Sequence, residues 1–325
     1  MSRAATGLPF DDIRNLLSGL PPADEEARAA AAAHTASLAV PEGSLGRMAG
    51  LAEWVASWAG MTQPAITRPL IAIFAGTHGL AAAMPGAEPG ATHRLVELYA
   101  AGGGAVNQLA LETQAGLKVF DLALDMPVPD IRAHDALSEA ACAATMAFGM
   151  EAIAGGTDLL CLGAAGEGGR IAAATLVAAL FGGAPEDWSD GSALANEAAA
   201  AALATHEGHL ADPLEALRRV GSRELAAIAG AILAARFQRI PVLLDGFVTC
   251  AAAAVLYKLQ PSALDHCLAA HVCGPAHARL LAAIGKKPLL ETGIALEEGA
   301  GAALALGMVK SALAIHRGTA TRDRL

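Results

Sequence analysis

The sequence predicts an α/β protein built on a mostly parallel sheet with helices on both faces. Three observations carry that prediction. First, several short apolar runs, such as Leu70-Ile71-Ala72-Ile73-Phe74-Ala75, end in glycine-containing loops. A strand buried on both faces has no polar side, so it reads as an unbroken apolar run rather than an alternation. Second, alanine-rich helical stretches separate these runs, and alternating β and α elements imply parallel strands joined by crossovers. Third, the 325 residues are 54% hydrophobic and 17% charged, enough core for one large α/β domain or for a domain with a smaller companion.

The elements follow in order. Leu8-Pro9-Phe10-Asp11-Asp12 starts a short helix through Leu20, and Pro21-Pro22-Ala23-Asp24 starts an alanine-rich one. Val40–Arg47 is a loop leading into an amphipathic helix, Met48–Trp58. Its two glycines around Ser44-Leu45, beside Arg47, suit either a Ser-capped connector or an anion-facing turn. Strands are expected at Leu70–Ala75, Leu117–Leu122, Asp158–Leu162 and Ile240–Leu244, with weaker signals at Cys267–Val272 and Pro288–Leu290. Helices are expected at Arg94–Leu109, Glu139–Ala154, Ile171–Phe181, Ser192–Thr205, Glu224–Arg236 and Ala302–Ile315.

Composition narrows the function. A net charge of −10 argues against a nucleic-acid or anionic-membrane surface, while leaving room for a local basic pocket that takes a phosphorylated substrate. A surface this poor in charge points to an oligomer that hides part of it. The five cysteines form no CxxC pair and sit mostly in apolar runs, which fits reduced core residues in a cytoplasmic protein. The N-terminus does not read as a signal peptide. No apolar run reaches the ~18–20 unbroken residues of a membrane span.

Ligands of open parallel sheets bind outside the carboxyl ends of the strands. That rule collects Gly76–Gly79, Gly163–Gly169, Asp245–Phe247, His271–His277 and the Glu297-Glu298-Gly299 segment. Gly163-Ala164-Ala165-Gly166-Glu167-Gly168-Gly169-Arg170 is either a phosphate cradle, with backbone amides at a helix start and Arg170 beside them, or a plain turn. Its spacing is not GxGxxG, so a dinucleotide loop is disfavoured. His78, His271 and His277 lack metal-ligand spacing and read as single structural histidines. With no GxSxG elbow and no cysteine in an electropositive motif, a serine or cysteine hydrolase is disfavoured. Asp245 could meet a ribose hydroxyl or cap a helix. A carboxylate just before a helix, as at Glu297 and Glu298, suits a general base, although acidic residues also simply favour that end of a helix.

Taken together, these motifs resemble the nicotinate-nucleotide–dimethylbenzimidazole phosphoribosyltransferases of cobalamin biosynthesis, from Leu8 to about Thr321. The residues that carry the resemblance are Gly43–Arg47, Phe74–Gly79, Ala101–Gln108, Ala143–Met150, Gly156–Leu160, Leu244–Phe247 and Glu298–Ala302. The resemblance implies a Rossmann-like parallel sheet (69–300) and a small helical domain from both chain ends (1–68 and 301–325). It also implies a homodimer, no cofactor and no metal. The implied reaction moves phosphoribosyl from nicotinate mononucleotide to a benzimidazole nitrogen, with inversion at the anomeric carbon. Glu298 falls on the glutamate of the family's Leu-Gly-Glu-Gly-Thr-Gly motif, the base that takes the benzimidazole proton; Glu297 stands where the family has glycine.

By position, the nucleotide and its phosphate fall to Gly163, Gly166, Gly168, Gly169, Arg170, Gly191 and Ser192. The substrate-lining places fall to Thr77, His78, Met84, Asp245, Gly274 and Leu296. The chain departs from the family at these loops. Gly163–Ile171 keeps the glycines of Gly-Glu-Met-Gly-Ile-Gly-Asn-Thr-Thr but none of its Glu, Asn or Thr side chains. Ser189–Ser192 is a shortened Gly-Thr-Gly loop with no lysine behind it, Gly274–His277 is a reduced Glu-Pro-Gly-His, and Leu80–Pro89 is short and alanine-rich. These departures define the alternatives: a relative that acts only beside a second family member in a hetero-oligomer, or one with another nucleotide donor or azole acceptor.

Overall fold

The computed structural model describes residues 7–82, 84, 86–189, 191 and 193–324. The helices are α1 (Phe10–Ser18), α2 (Glu25–Ser37), α3 (Arg47–Ala59), α4 (Gly79–Ala82), α5 (Ala91–Ala100), α6 (Ala105–Thr113) and α7 (Glu139–Met150). They continue as α8 (Gly169–Phe181), α9 (Ala193–Thr205), α10 (Pro213–Val220), α11 (Arg223–Phe237), α12 (Gly246–Leu259), α13 (Pro275–Ala283) and α14 (Ala300–Gly318). The strands are β1 (Pro69–Ala75), β2 (Gly116–Asp121), β3 (Leu159–Ala165), β4 (Val242–Leu244), β5 (Cys267–His271) and β6 (Pro288–Leu290). They form one sheet in the order β2-β1-β3-β4-β5-β6, every pair parallel. Each expected apolar run became a strand, including the two weak ones.

Side chains of a strand alternate between faces, and each face here has its own core. Leu70, Ala72 and Phe74 join Leu160, Leu162, Val242 and Leu244 beneath α7, α8, α11 and α12. Ile71, Ile73 and Ala75 join Leu159, Cys161 and Leu243 on the other face, with α3, α6 and α14. The small residues bring helices close. A Cβ at Gly230 of α11 would strike the backbone of Met146 in α7, and one at Gly149 of α7 would strike that of Ala227 in α11. The chain ends also meet: Ala39 N–H donates to Ala320 O at 2.8 Å, and Arg322 donates to Val40 O at 3.0 Å.

Two expectations change. The single helix expected over Arg94–Leu109 is two, because Gly102-Gly103-Gly104 interrupts it, with Gly102 at φ +78°. Asn107 fixes the break: its side chain accepts from Gly104 N–H at 2.9 Å and donates to Tyr99 O at 2.9 Å. Arg47 is committed to backbone carbonyls, which favours the connector reading of its loop. Its guanidinium donates to the carbonyls of Pro288 at 2.7 Å and Leu289 at 3.3 Å, tying α3 to the last strand.

Candidate active site at the carboxyl edge of the sheet

The chain leaves β1 for β2 on one side and returns to β3 on the other, so the loops after β1 and β3 diverge. Such a switch point opens a crevice at the carboxyl ends of the strands. Its floor is tight: Gly76 N–H donates to Ala165 O at 3.0 Å, and a Cβ at Gly166 would lie 2.5 Å from Gly76 O. Above it is a cavity of about 400 Å³. One wall is the stripe Ala91, Leu95 and Tyr99 of α5; another is Gly166, Gly169 and Arg170 at the start of α8. Glu224, Val248, Leu296 and Glu297 complete it, with Glu88 and Glu167 at its edge. An adjoining cavity of about 300 Å³ shares Glu88, Ala91 and Glu167 and reaches Thr77 and His78.

The two adjacent carboxylates point to different places. Glu298 is buried, and its Oε2 accepts from the Tyr99 hydroxyl at 2.6 Å. Its Oε1 lies 3.4 Å from Val106 N–H in the first turn of α6. It therefore sits one layer behind Tyr99, which is the group on the cavity wall. Burial, then the bond to Glu298, keeps the Tyr99 hydroxyl protonated well above the usual phenol range. Glu297 is on the wall itself. Its backbone takes φ +61°, and its carboxylate accepts from Phe247 N–H at 3.1 Å and pairs with the Arg170 guanidinium. Burial raises its carboxyl above the usual range, and Arg170 acts in the opposite direction.

The turn that carries both carboxylates is fixed from below. Ala164 N–H donates to Glu297 O at 2.8 Å, and a Cβ at Gly163 would lie 2.6 Å from the Glu298 carbonyl carbon. Asp245 is fully buried; its Oδ2 accepts from Gly299 N–H at 2.9 Å and its Oδ1 from Ala302 N–H at 2.6 Å. Those are orphan donors of the first turn of α14, so Asp245 caps a helix more than fifty residues downstream. His271 Nε2 lies 3.2 Å from the same carboxylate.

The expected site residues divide accordingly. Gly166, Gly169, Arg170 and Leu296 line the main cavity, and Thr77 and His78 the adjoining one. Gly163 lies in the sheet under the Glu298-Gly299 backbone, and Gly168, at φ +93°, faces Ala81 and His78, whose Cβ atoms would lie 3.0 and 3.1 Å from a Cβ added there. Met84 packs on the core, Gly274 caps α13, and Gly191 lies in an exposed loop; Ser192 is outside the described residues. Asp245 serves the helix start rather than the cavity wall. His277 accepts from Cys273 N–H at 3.2 Å through Nδ1 and approaches Cys250 Sγ at 3.3 Å through Nε2, and burial pushes it down to about 3, so it stays neutral.

Sequence reasoning missed Tyr99 and Glu224. Glu224 is buried and accepts from or ion-pairs with His78 Nε2 at 2.6 Å, while its Oε2, packed against Gly76, has no hydrogen-bond partner. Both residues come from helices remote in sequence from their partners, and no local motif marks either.

The Phosphoribosyltransferase family model matches residues 20–324. The chain is 53% identical over 331 aligned residues to the nicotinate-nucleotide–dimethylbenzimidazole phosphoribosyltransferase of Brucella anthropi, covering 99% of this chain and 98% of that one. It is 55% identical over 328 residues to the enzyme of the same name from Agrobacterium fabrum, covering 97% and 94%. A crystal structure of such an enzyme from Thermus thermophilus superposes with a TM-score of 0.83 at 32% identity, covering 92% of this chain and 98% of that one. With a family match over nearly the whole chain and relatives more than half identical from end to end, the chain belongs to the nicotinate-nucleotide–dimethylbenzimidazole phosphoribosyltransferase family.

Proposed function

We propose that the protein transfers the phosphoribosyl group of nicotinate mononucleotide to 5,6-dimethylbenzimidazole, releasing nicotinate and giving the α-riboside phosphate used for the lower ligand of cobalamin. One azole nitrogen forms a bond to the anomeric carbon as the bond to nicotinate breaks, and the proton on the other azole nitrogen leaves. The observation that carries the residue assignment is the Tyr99–Glu298 hydrogen bond at the cavity wall. In this reading Tyr99 accepts the azole proton as it passes its own to Glu298, and its burial keeps it from ionising unaided. Arg170 and the amide of Gly166 hold the phosphate at the α8 N-terminus, where the helix dipole favours an anion. The apolar side chains of Leu95, Val248 and Leu296 keep the slot dry for the base.

A homodimer completes the proposal. Leu98, Leu111 and Phe148 are exposed on α5, α6 and α7, the helices flanking edge strand β2, and a partner copy would cover them.

Purified protein supplied with nicotinate mononucleotide and dimethylbenzimidazole should release nicotinate and α-riboside phosphate in equal amounts. No product from the protein alone, with turnover restored by a second family member, would favour the partner-subunit alternative instead.

A further inference from the structure

Glu297 is a buried, strained carboxylate to which the proposed reaction gives no task. Only 7% of it is exposed, and its φ of +61° is one that residues with a Cβ rarely adopt. The surroundings are shaped to accept it. Gly246 has no Cβ where the Glu297 Cγ lies, 2.8 Å from the position such a Cβ would take. The carboxylate sits at the start of α12, on Phe247 N–H, and across it lies the Arg170 guanidinium. A helix-start amide and a guanidinium are the partners that a phosphate would choose. Here the chain supplies its own anion to them.

Arg170 belongs equally to the wall where the proposed function seats the substrate phosphate, and its side chain is 42% exposed, so it can turn toward a ligand. We propose that Glu297 is a positioning residue of the phosphate subsite: it holds Arg170 over the cavity in the free enzyme, yields it to the incoming phosphate, and takes up one proton from solvent. This inference rests on the proposed seat of the phosphate beside Arg170.

The charges around Glu297 dictate the proton. From α8 comes Arg170; from the segment before α12, the buried Asp245 carboxylate; from the loop after β5, the Cys273 thiol, 3.9 Å from Oε1. Glu298 follows in its own segment, and Glu224 shares the cavity. From α12 comes the Cys250 thiol, and His277, behind Cys273, stays neutral. Once Arg170 turns to a dianion, these neighbours offer Glu297 no cation and a second negative charge has arrived. Burial already works against an ionised Glu297, and both changes act in the same direction. The phosphate itself cannot mimic the effect. With a second pKa of about 6, any monoanion would lose a proton on meeting Arg170, which is release rather than uptake.

Titration calorimetry at about pH 7.5, in two non-phosphate buffers of different ionisation heat, counts the protons. Nicotinate mononucleotide binding to the full protein should draw in close to one proton, and Glu297→Gln, which keeps an acceptor for Phe247 N–H, should draw in close to none. Nicotinate riboside, lacking the phosphate, should draw in none with either. The wild-type dissociation constant for the mononucleotide should rise by up to about tenfold per pH unit between pH 6.5 and 8.5, and that slope should flatten in Glu297→Gln. If Glu297→Gln does not fold, Glu297→Gly, which relieves the positive φ, serves for the same count. Mononucleotide binding that weakens in Arg170→Ala, yet proceeds without uptake in the wild type or with equal uptake in the variant, would overturn the inference alone. Binding that is absent, or indifferent to Arg170→Ala, would instead remove the phosphate seat and the inference with it.

Discussion

At the scale of single residues, the candidate site depends on groups that do not line its cavities. Asp245 is the clearest. Replacing it with alanine strands the N–H groups of Gly299 and Ala302 in a buried place. Leaving a buried donor unsatisfied costs about 1–3 kcal/mol, so urea unfolding of Asp245→Ala should show a loss of at least that size. Gly163 acts by absence. A methyl there would press on the Glu298-Gly299 backbone, and a shift of about 1 Å in a reacting group can cost about 10²-fold, so kcat of Gly163→Ala should fall on that order. Motif reading placed Gly163 on the phosphate because a glycine that frees an amide and one that admits a neighbouring chain look alike in sequence.

Glu224 gives the pH dependence. Burial is the largest influence and would raise its carboxyl, but His78, its own backbone amide and Ser222 together outweigh burial and hold it below the usual range. A folded-state value below the unfolded one contributes stability that is present at neutral pH and is lost as pH falls through the folded-state value. Unfolding midpoints should therefore decline below about pH 4.5, the ordinary carboxyl value, and decline less in Glu224→Gln. His78→Ala should be the worse variant at neutral pH, since it leaves the buried Glu224 carboxylate without its hydrogen-bond partner.

At the scale of elements, the break between α5 and α6 matters most for function. Continuous helix through Gly102–Gly104 would carry Tyr99 away from the start of α6, where Glu298 also arrives. Periodicity alone suggested one helix over 94–109, because the residues on both sides of the break share an apolar face. Three successive glycines decide otherwise, at a position where helix propensity is weakest. The α7–α11 crossing shows the same logic in packing. Gly230→Ala drives a methyl into the Met146 backbone, and overpacking of this kind typically costs about 1–3 kcal/mol, readable as a lower unfolding midpoint with unchanged slope.

At the scale of the whole molecule, the sheet was legible and the site only partly. Apolar runs at residues 70–75, 158–162 and 240–244 became parallel strands because burial on both faces demands that pattern, while the run at 117–122 became the partly exposed edge strand β2. The rule that ligands sit at the carboxyl ends then located the loop of Gly166, Gly169 and Arg170 and the turn of Glu297 and Glu298. What stayed hidden were pairings made by topology. Tyr99 meets Glu298 across 199 residues and His78 meets Glu224 across 146. Nor did the alternation of faces reveal that Asp245 would cap α14 rather than its own helix, which required the β3–β4–β5 order to be known.

The central claim is that Glu298 takes the azole proton through Tyr99, and steady-state turnover with nicotinate mononucleotide and dimethylbenzimidazole tests it most directly. Proton transfer by a positioned side chain contributes about 10²–10⁴-fold, so kcat of Glu298→Gln should fall within that range. Tyr99→Phe, which keeps the ring and loses the hydroxyl, should fall with it, and the double variant should be no slower than Glu298→Gln alone. A Glu298→Gln enzyme with wild-type kcat would contradict the account.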